Sequence, residues 1–363
     1  MNSAKRIMSL PKYVGGKPIE ELQRELGISN PIKLASNENP IGPSPAAIDI
    51  MTKSLSKVSS YPDGDSYYLK RKICEKENLL PNQVVIGNGS NEVLELISHA
   101  YIEEGDEVIM GEYCFIVYPI VTMLSEGKII RSSMPDLTHD IQNIKSLITE
   151  KTKVIFIANP NNPTGTKVSK TQIHDLLNSI PKSILVVIDE AYCEYVDETQ
   201  KMNVQQDINN WENLIVIKTF SKIYGLAGLR VGYGMSNEKI IEKIHKPREP
   251  FNVNIIAQVA AAAALDDLAH IEKSQQVNSA GMFFLKTELK KMGLNTFPSY
   301  ANFILIDFGI PARVIYEELL KKGIIVRPLE NYNLPNCLRV TIGTEEEIKL
   351  FVTSLKEVLS AIK

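Results

Sequence analysis

Cysteine is scarce in this sequence, and the few cysteines present stand far apart. They are Cys74, Cys114, Cys193 and Cys337, and none of them forms a Cys-x-x-Cys pair. This spacing argues against a disulfide framework and against a cysteine-based zinc site, and we expect no metal. Few, scattered thiols are typical of proteins in the reducing cytoplasm, which is the location that we expect.

An excess of one charge and long apolar runs are also absent. The formal net charge is −3 at pH 7, with 40 basic and 43 acidic residues spread along the chain. That balance gives no reason to expect a nucleic-acid or membrane surface. No apolar stretch approaches the roughly 20 residues of a membrane-spanning helix. Residues 1–10 lack the apolar core and small-residue cleavage site of a signal peptide.

What the chain does contain is an ordinary globular composition, with 44% hydrophobic and 23% charged residues among 363. A chain of that length is expected to form two domains, or one large domain with a smaller neighbour. Residues 1–44 are rich in proline, glycine and asparagine, which predicts an extended N-terminal arm with turns. Because such an arm has no core of its own, we expect it to pack against something else, often a second subunit.

Short apolar strands and helices alternate from residue 45 to residue 254. The predicted strands cover 83–87, 107–110, 128–131, 154–158, 184–188 and 214–217. Strands that are apolar throughout predict a large α/β domain with a mostly parallel sheet sandwiched by helices. Residues 255–363 predict a small α+β C-terminal domain. It begins with a long helical stretch over 255–291. The predicted strands that follow cover 302–307, 324–328 and 337–342, and the predicted helices cover 313–322 and 345–362.

The stretch 219–233, TFSKIYGLAGLRVGY, places Lys222 directly after an apolar strand. Lysine attacks a carbonyl carbon only as a neutral amine, and partial burial beside a cation lowers its pKa toward neutrality. The hydroxyls of Thr219 and Ser221, together with Arg230, are groups that bind phosphate. An amine and a phosphate site within one turn indicate pyridoxal phosphate. A surface lysine after a strand explains this stretch equally well when it is taken alone.

Two glycine- or proline-rich turns also follow predicted strands, at the edge where open parallel sheets bind ligands. Residues 87–92, GNGSNE, lead from a strand into a helix, whose first turn would present Ser90 and Asn91 to an anion. Residues 159–165, NPNNPTG, predict a rigid loop that could orient Asn162 toward a phenolic oxygen on a cofactor ring. Taken singly, each is also explained as an ordinary turn.

Asp189 lies at the end of the predicted strand 184–188, and Tyr192 follows three residues later. A carboxylate at the end of a buried strand is unfavourable unless it has a partner, and a protonated pyridine nitrogen is such a partner. That pairing keeps a pyridine ring cationic, so that the ring can accept electrons from a carbanion. An aspartate that caps the next helix is the alternative.

In their order along the chain, these motifs resemble the fold type I aminotransferases. The resemblance implies that Lys222 forms a Schiff base with pyridoxal 5'-phosphate and then carries the proton in a ping-pong transamination. It implies that Asp189 pairs with the pyridine nitrogen, that Asn162 and Tyr192 bind the ring oxygen, and that Phe115 stacks on the ring. Tyr113 is the other candidate for that stacking position. The phosphate ligands that the resemblance implies are Ser90, Asn91, Thr219, Ser221 and Arg230.

Further segments are similar to the histidinol-phosphate aminotransferase family, of the class II type. They are 33–45 (KLASNENPIGPSP), 61–64 (YPDG), 250–254 (PFNVN) and 338–344 (LRVTIGT), so that the resemblance runs from about Tyr13 to Thr344. It implies transamination between histidinol phosphate and 2-oxoglutarate in L-histidine biosynthesis, with glutamate and imidazole acetol phosphate as the reverse pair.

Substrates that carry a phosphate or carboxylates need forked donors, and Arg327 and Arg339 in the late strands are the candidates. Asn37, in the first of these family segments, is a further candidate for the substrate. The resemblance places Tyr13 and Tyr61 at the substrate and cofactor phosphates of the neighbouring subunit. It therefore implies a homodimer with shared active sites, and no nucleic-acid or membrane partner.

The sequence leaves other functions open. An aromatic-amino-acid aminotransferase would use the same arginine, and a threonine-phosphate decarboxylase would use Lys222 but release carbon dioxide. A regulator that has lost catalysis would need an added DNA-binding domain, for which 363 residues leave no room. The chain also departs from the histidinol-phosphate aminotransferase pattern at Asn333, where glycine is usual, and at Ile348, where asparagine is usual.

Overall fold

A computed structural model describes residues 5–8, 10 and 15–362 of the chain. The strands are β1 (Ile32–Lys33), β2 (Val84–Gly87), β3 (Glu107–Gly111), β4 (Lys128–Ser132), β5 (Thr152–Ala158), β6 (Leu185–Asp189), β7 (Leu214–Thr219), β8 (Gly232–Ser236), β9 (Asn295–Thr296), β10 (Phe303–Asp307), β11 (Ile324–Ile325), β12 (Arg327–Leu329) and β13 (Leu334–Thr341). The helices are α1 (Lys5–Met8), α2 (Ile19–Leu26), α3 (Pro45–Ser54), α4 (Tyr67–Glu77), α5 (Ser90–Tyr101), α6 (Val117–Leu124), α7 (Ile141–Ser146), α8 (Lys170–Ser179), α9 (Val204–Asn210), α10 (Glu238–His245), α11 (Ile255–Asp266), α12 (Leu268–Lys291), α13 (Ala312–Lys321) and α14 (Glu345–Ile362).

Seven strands form the main sheet, in the order β2-β8-β7-β6-β5-β3-β4. The pairs from β7 to β4 are parallel, and only β8 runs antiparallel to both of its neighbours. The mostly parallel sheet predicted from the sequence is confirmed. Because β5, β6 and β7 are parallel neighbours, their carboxyl ends meet at one edge of the sheet, where such sheets bind ligands.

The central strands are apolar throughout because both of their faces are covered. Ile155 and Val186 point into one hydrophobic core, whereas their chain neighbours Phe156 and Val187 point into another, and all four are fully buried. Successive side chains of a strand alternate between its faces, so helices must lie on both sides of this sheet. Packing in the two cores fixes the positions of the strand ends that carry the polar motifs.

Strand β8 was not predicted, and its glycines explain why. A Cβ at position 232 would lie 2.4 Å from the backbone nitrogen of Ser90, and one at position 234 would lie 2.9 Å from Val93. Because α5 packs this closely on β8, bulky strand-forming residues cannot occupy these positions, and the apolar pattern that marks the other strands is missing. The close approach brings the start of α5 next to the end of β7.

Within the predicted small domain, residues 255–363, four strands form an antiparallel sheet in the order β12-β13-β10-β9. The long helical stretch predicted over 255–291 consists of two helices: α11 ends at Asp266, and Asp267 separates it from α12 with φ −86° and ψ 69°. The Asp267 carboxylate accepts a hydrogen bond from His270 N at 3.2 Å and so caps α12. The strand predicted at 324–328 is likewise divided into β11 and β12.

The described residues before position 45 include regular structure that the prediction of an extended arm did not contain. Helix α2 buries Leu22 completely, and Leu22 packs in a cluster with Ala35 and Ile325. Strand β1 pairs in parallel with β11, which ties the N-terminal segment to the small domain. The predicted domain boundaries at 44/45 and 254/255 stay predictions.

The surface helices have one apolar and one polar face. In α10, which Asn237 caps by accepting from two backbone N–H groups, Ile240, Ile241 and Ile244 are buried and the remaining positions are polar or charged. An amphipathic pattern of this kind is typical of helices that cover a sheet. Across the described ranges of the chain, no helix is both long enough and apolar enough to cross a membrane.

Candidate active site

A cavity of about 280 Å³ lies at the carboxyl ends of β5, β6 and β7. The predicted site residues that line it are Asn37, Ser90, Asn91, Phe115, Asn162, Asp189, Tyr192, Thr219, Ser221, Lys222, Arg230, Arg327 and Arg339. Tyr61 does not line it: the side chain is 82% exposed and stacks on Phe251 with ring centroids 4.8 Å apart. Tyr13 lies outside the described residues.

Lys222 follows β7 and extends its amine into the cavity. Its Nζ donates a hydrogen bond to the backbone carbonyl of Ser36 at 3.1 Å and lies 5.6 Å from the centre of the Tyr192 ring. Burial, followed by the positive charge of Arg339, lowers the pKa of Lys222 to about 7. A substantial fraction of the amine is therefore neutral at neutral pH, as attack on a carbonyl carbon requires.

Asp189 ends β6 on the cavity floor and is buried. Its Oδ2 accepts a hydrogen bond from Tyr118 Oη at 2.8 Å, and its Oδ1 accepts one from Ala191 N at 3.1 Å. Burial raises the pKa of Asp189 to about 6, although the hydrogen bond from Tyr118 opposes that rise. A buried carboxylate held in this way favours a ligand that brings a positive charge, such as a protonated ring nitrogen.

An anion cradle lies at the other end of the cavity. Residue 89 has φ +80°, which favours glycine, and a Cβ there would lie 2.5 Å from Nη2 of Arg230 and displace the guanidinium group from its present position. The cradle combines this group with the N-terminus of α5 at Ser90 and with the hydroxyls of Thr219 and Ser221, which lie 3.1 Å apart. Hydroxyls, a helix N-terminus and a guanidinium group together suit a phosphate monoester.

Two buried arginines face the cavity from the small domain. Arg327 and Arg339 are cross-strand partners in β12 and β13, and both are more than nine-tenths buried. Arg339 donates from Nη1 to Asn162 Oδ1 and from Nη2 to the carbonyl of Ala35 at 2.6 Å. Since like charges on adjacent strands repel, an anionic ligand would be stabilised between them.

The loop after β5 and the N-terminal segment position two further polar groups. Within the loop, Asn161 donates from Nδ2 to the carbonyl of Tyr113 at 2.7 Å and to Thr164 Oγ1 at 2.9 Å. Across the cavity, Asn37 donates from Nδ2 to Tyr192 Oη at 2.9 Å. The loop therefore ties the Asn162 segment to the segment that carries the aromatic candidates, and Asn37 fixes the tyrosine hydroxyl.

Several groups in or beneath the cavity were not singled out from the sequence. Tyr118 is fully buried and stacks on Phe156 with ring centroids 4.8 Å apart. The backbone carbonyl of Ala35 accepts a hydrogen bond from Arg339, and that of Ser36 accepts one from Lys222. Because every residue has a backbone carbonyl, the identities of these two residues do not indicate such contacts. Glu38 belongs to the segment 33–45, which resembles the histidinol-phosphate aminotransferase family, but the sequence does not reveal that Glu38 lines the cavity. Of the two stacking candidates, Phe115 lines the cavity.

Asn333, the first departure from the histidinol-phosphate aminotransferase pattern, has a physical explanation. It follows the 3-10 helix Glu330–Tyr332 with φ 59° and ψ 29°, in the left-handed region. Glycine is favoured there, and asparagine is among the side-chain-bearing residues that tolerate this conformation best. The loop that carries the cavity residue Tyr332 therefore keeps a turn that glycine would also allow.

Three comparisons with known proteins agree with this geometry. A family model described as aminotransferase class I and II matches residues 29–355. Histidinol-phosphate aminotransferase 1 of Idiomarina loihiensis is 44% identical over 351 residues, which cover 97% of this chain and 96% of that protein. Histidinol-phosphate aminotransferase of Moorella thermoacetica is 43% identical over 355 residues, which cover 98% and 92%. The crystal structure of histidinol-phosphate aminotransferase from Sinorhizobium meliloti in complex with pyridoxal-5'-phosphate has a TM-score of 0.92 and 26% identity, covering 99% of this chain and 98% of that one.

Proposed function

This chain belongs to the class I and II aminotransferases, and we propose that it transfers an amino group between histidinol phosphate and 2-oxoglutarate in histidine biosynthesis. The observation that carries the proposal is the pair Arg327 and Arg339, adjacent in one cavity with Lys222. Two neighbouring guanidinium groups suit a substrate phosphate and, in the other half-reaction, the carboxylates of glutamate. The relatives named for this activity support the choice of substrate.

Pyridoxal 5'-phosphate is the cofactor that fits the cavity. When bound, it supplies an electron-withdrawing ring that stabilises negative charge on the substrate carbon that loses its proton. The Arg230 cradle would hold the phosphate, Lys222 the aldehyde carbon, and Asp189 the ring nitrogen. Asn162 and Tyr192 would contact the ring oxygen, and Phe115 would lie against the ring.

Lys222 is the proton carrier in this mechanism. Its neutral amine would take the proton from the substrate carbon that bears the amino group, hold it at Nζ and release it again within the same half-reaction. The pKa of about 7 leaves the amine able to accept and release a proton at neutral pH. The bond from its Nζ to the Ser36 carbonyl restrains the amine within the cavity.

A half-reaction screen tests the proposal. The cofactor-loaded protein would be mixed separately with histidinol phosphate, phenylalanine and threonine phosphate, and the loss of the cofactor's visible absorbance band would be followed. We expect histidinol phosphate to react with the highest rate constant divided by KM, because it alone of the three offers both a phosphate and an imidazole ring. A preference for phenylalanine would indicate an aromatic aminotransferase instead. Release of carbon dioxide from threonine phosphate would indicate a decarboxylase.

We also propose that the protein is a homodimer with shared active sites. The stacked rings of Tyr61 and Phe251 form an exposed aromatic patch, with 82% and 46% of their surfaces exposed, and Val58 and Tyr68 are also exposed, at 62% and 79%. Contiguous exposed apolar groups of this kind mark surfaces that bind other proteins. A second copy of the chain would cover this patch and bring Tyr61 to the partner's cofactor phosphate.

Mixing two inactive variants tests the sharing of sites. Dimers that contain one Lys222→Ala chain and one Tyr61→Ala chain have one complete site, because the first chain supplies Tyr61 and the second supplies Lys222. Random reassociation is expected to restore about a quarter of the wild-type activity. In the control, Lys222→Ala is mixed with Asp189→Ala, which alters the same cavity and leaves no complete site. Equal results in the two mixtures would show that Tyr61 acts within its own chain.

A cytoplasmic location is part of the same proposal. Cys74, Cys114, Cys193 and Cys337 are all buried and unpaired. Free thiols persist where the cell keeps them reduced. The substrates are small soluble molecules, and we propose no nucleic-acid or membrane partner.

A further inference from the structure

Glu38 lines the active-site cavity, yet none of the roles given above uses it. The charged residues that line the cavity are Glu38, Asp189, Lys222, Arg230, Arg327 and Arg339. Asp189 is buried on the cavity floor, where it meets the cofactor ring. Glu38 is therefore the cavity carboxylate that is left to meet a substrate.

The Glu38 side chain lies where the cavity opens to solvent, with 42% of its surface exposed. Its Oε1 accepts a hydrogen bond from Lys33 Nζ at 2.8 Å. A carboxylate has roughly four lone-pair positions for acceptance, so one lysine leaves capacity for a ligand donor.

The backbone around Glu38 is held from both sides. Asn37 has φ 57°, and its backbone nitrogen donates to Thr341 Oγ1 at 2.9 Å. Asn39 donates from Nδ2 to the carbonyl of Ile223 at 2.7 Å and to Ser274 Oγ at 2.9 Å. With both neighbours buried and anchored, the position of Glu38 relative to Lys222 is fixed, as a specificity-determining group requires.

The charge of Glu38 also acts across the cavity on the catalytic amine. The pKa of Lys222 is lowered by burial and by Arg339, and the negative charge of Glu38 opposes that lowering. The Glu38 carboxylate therefore lies within electrostatic range of the amine that faces the reacting carbon. Both groups line the same cavity, so one substrate can contact Lys222 and Glu38 together.

We propose that the Glu38 carboxylate accepts a hydrogen bond from the imidazole ring of the substrate and sets the preference for histidinol phosphate. This inference rests on the proposed function. Once the phosphate is bound by the arginines and the amino group lies at Lys222, imidazole is the part of the substrate that remains. Imidazole carries an N–H donor when neutral and two when protonated. Phenylalanine has no such donor, and the side-chain carboxylate of glutamate would be repelled by Glu38.

The test compares Glu38→Ala and Glu38→Gln in the cofactor-loaded, full-length protein, with Lys33→Met as the matched control. Lys33→Met removes the partner of Glu38 but keeps its carboxylate. We expect Glu38→Ala to raise the KM for histidinol phosphate about 10- to 100-fold, the effect of losing a hydrogen bond to a charged group. The maximal rate is expected to change less than KM, because no bond of the imidazole ring is made or broken in the reaction. The KM for glutamate is expected to stay the same or fall.

The outcomes separate this inference from the function on which it rests. Glu38→Gln keeps the side-chain shape and is expected to give an intermediate KM for histidinol phosphate, whereas Lys33→Met stays near the wild type. An equal rise in KM for histidinol phosphate and glutamate would show that Glu38 only supports the local structure, and would overturn the inference. Thermal unfolding midpoints of the variants establish that they are folded. Failure of the wild type to react with histidinol phosphate would instead overturn the proposed function, and the inference with it.

Discussion

Replacing Lys222 with alanine is expected to abolish both transamination and the borohydride-dependent attachment of the cofactor to the protein. In the proposed mechanism, the amine is both the nucleophile that holds the cofactor and the base that moves the proton, so one substitution would remove two functions. We expect a fall in the transamination rate on the order of 10⁴-fold or more. The measurement is the absorbance of the protein after borohydride treatment and gel filtration, together with turnover of histidinol phosphate.

The same experiment has a pH dependence that follows from the lysine environment. Burial and Arg339 lower the pKa of Lys222 to about 7, so the fraction of neutral amine rises with pH through 7 and is nearly complete above 8. The rate at which the cofactor-free protein captures pyridoxal 5'-phosphate is expected to follow that fraction. Lys72→Ala is a suitable control, since Lys72 is an exposed lysine paired with Asp266.

Retained turnover in Lys222→Ala would refute the assignment of the catalytic amine.

Replacing Arg339 with alanine is expected to raise the KM for histidinol phosphate by about 30- to 5,000-fold, equivalent to roughly 2–5 kcal/mol. The guanidinium group is buried and touches both Asn162 and Ala35, so its loss also leaves two acceptors without their donor. Arg339→Lys keeps the positive charge but loses the planar guanidinium group that can bind an anion through two N–H donors. Its KM is expected to lie between those of the wild type and Arg339→Ala.

Arg339→Ala also has a spectroscopic consequence. Because the charge of Arg339 is the second cause of the lowered pKa of Lys222, its removal is expected to raise that pKa. The pH at which the cofactor is captured should therefore move upward in Arg339→Ala. Arg327→Ala provides the comparison, since Arg327 lies in the same cavity on the adjacent strand. If Arg339→Ala matched the wild type in both KM and pH profile while Arg327→Ala did not, Arg327 would be the substrate-binding arginine.

The parts of the site that the sequence predicted are those that local patterns specify. Strands β5, β6 and β7 are apolar on both faces, and parallel strands end at a common edge, so Asp189 and Lys222 could be placed there from the sequence alone. Arg327 and Arg339 could be predicted to lie beside one another at the substrate site because each is part of a short apolar run that predicts a strand. In each case the residue and the pattern that places it are only a few positions apart.

The parts that were missed depend on the tertiary fold. Tyr118 reaches Asp189 from a helix that lies 71 residues earlier in the chain, and nothing in the sequence indicates which face of that helix meets β6. The carbonyl of Ala35 reaches Arg339 across 304 residues. Strand β8 was missed because close packing against α5 requires glycine where strand formers would be expected. The role of Tyr13 stays a prediction, since that residue lies outside the described part of the chain.

The contacts between the start and the end of the chain have a consequence for biosynthesis on the ribosome. Asn37 binds Thr341, and the Ala35 carbonyl binds Arg339, so the cavity wall joins residues near the start of the chain to residues near its end. The seven-stranded sheet, by contrast, is complete once Ser236 has emerged. Because domains generally fold as units during synthesis, the sheet can carry Lys222 and Asp189 before either arginine of the substrate site has been made. The reactive amine is thus present on the nascent chain well before the two arginines that are proposed to bind the anionic group of its substrate.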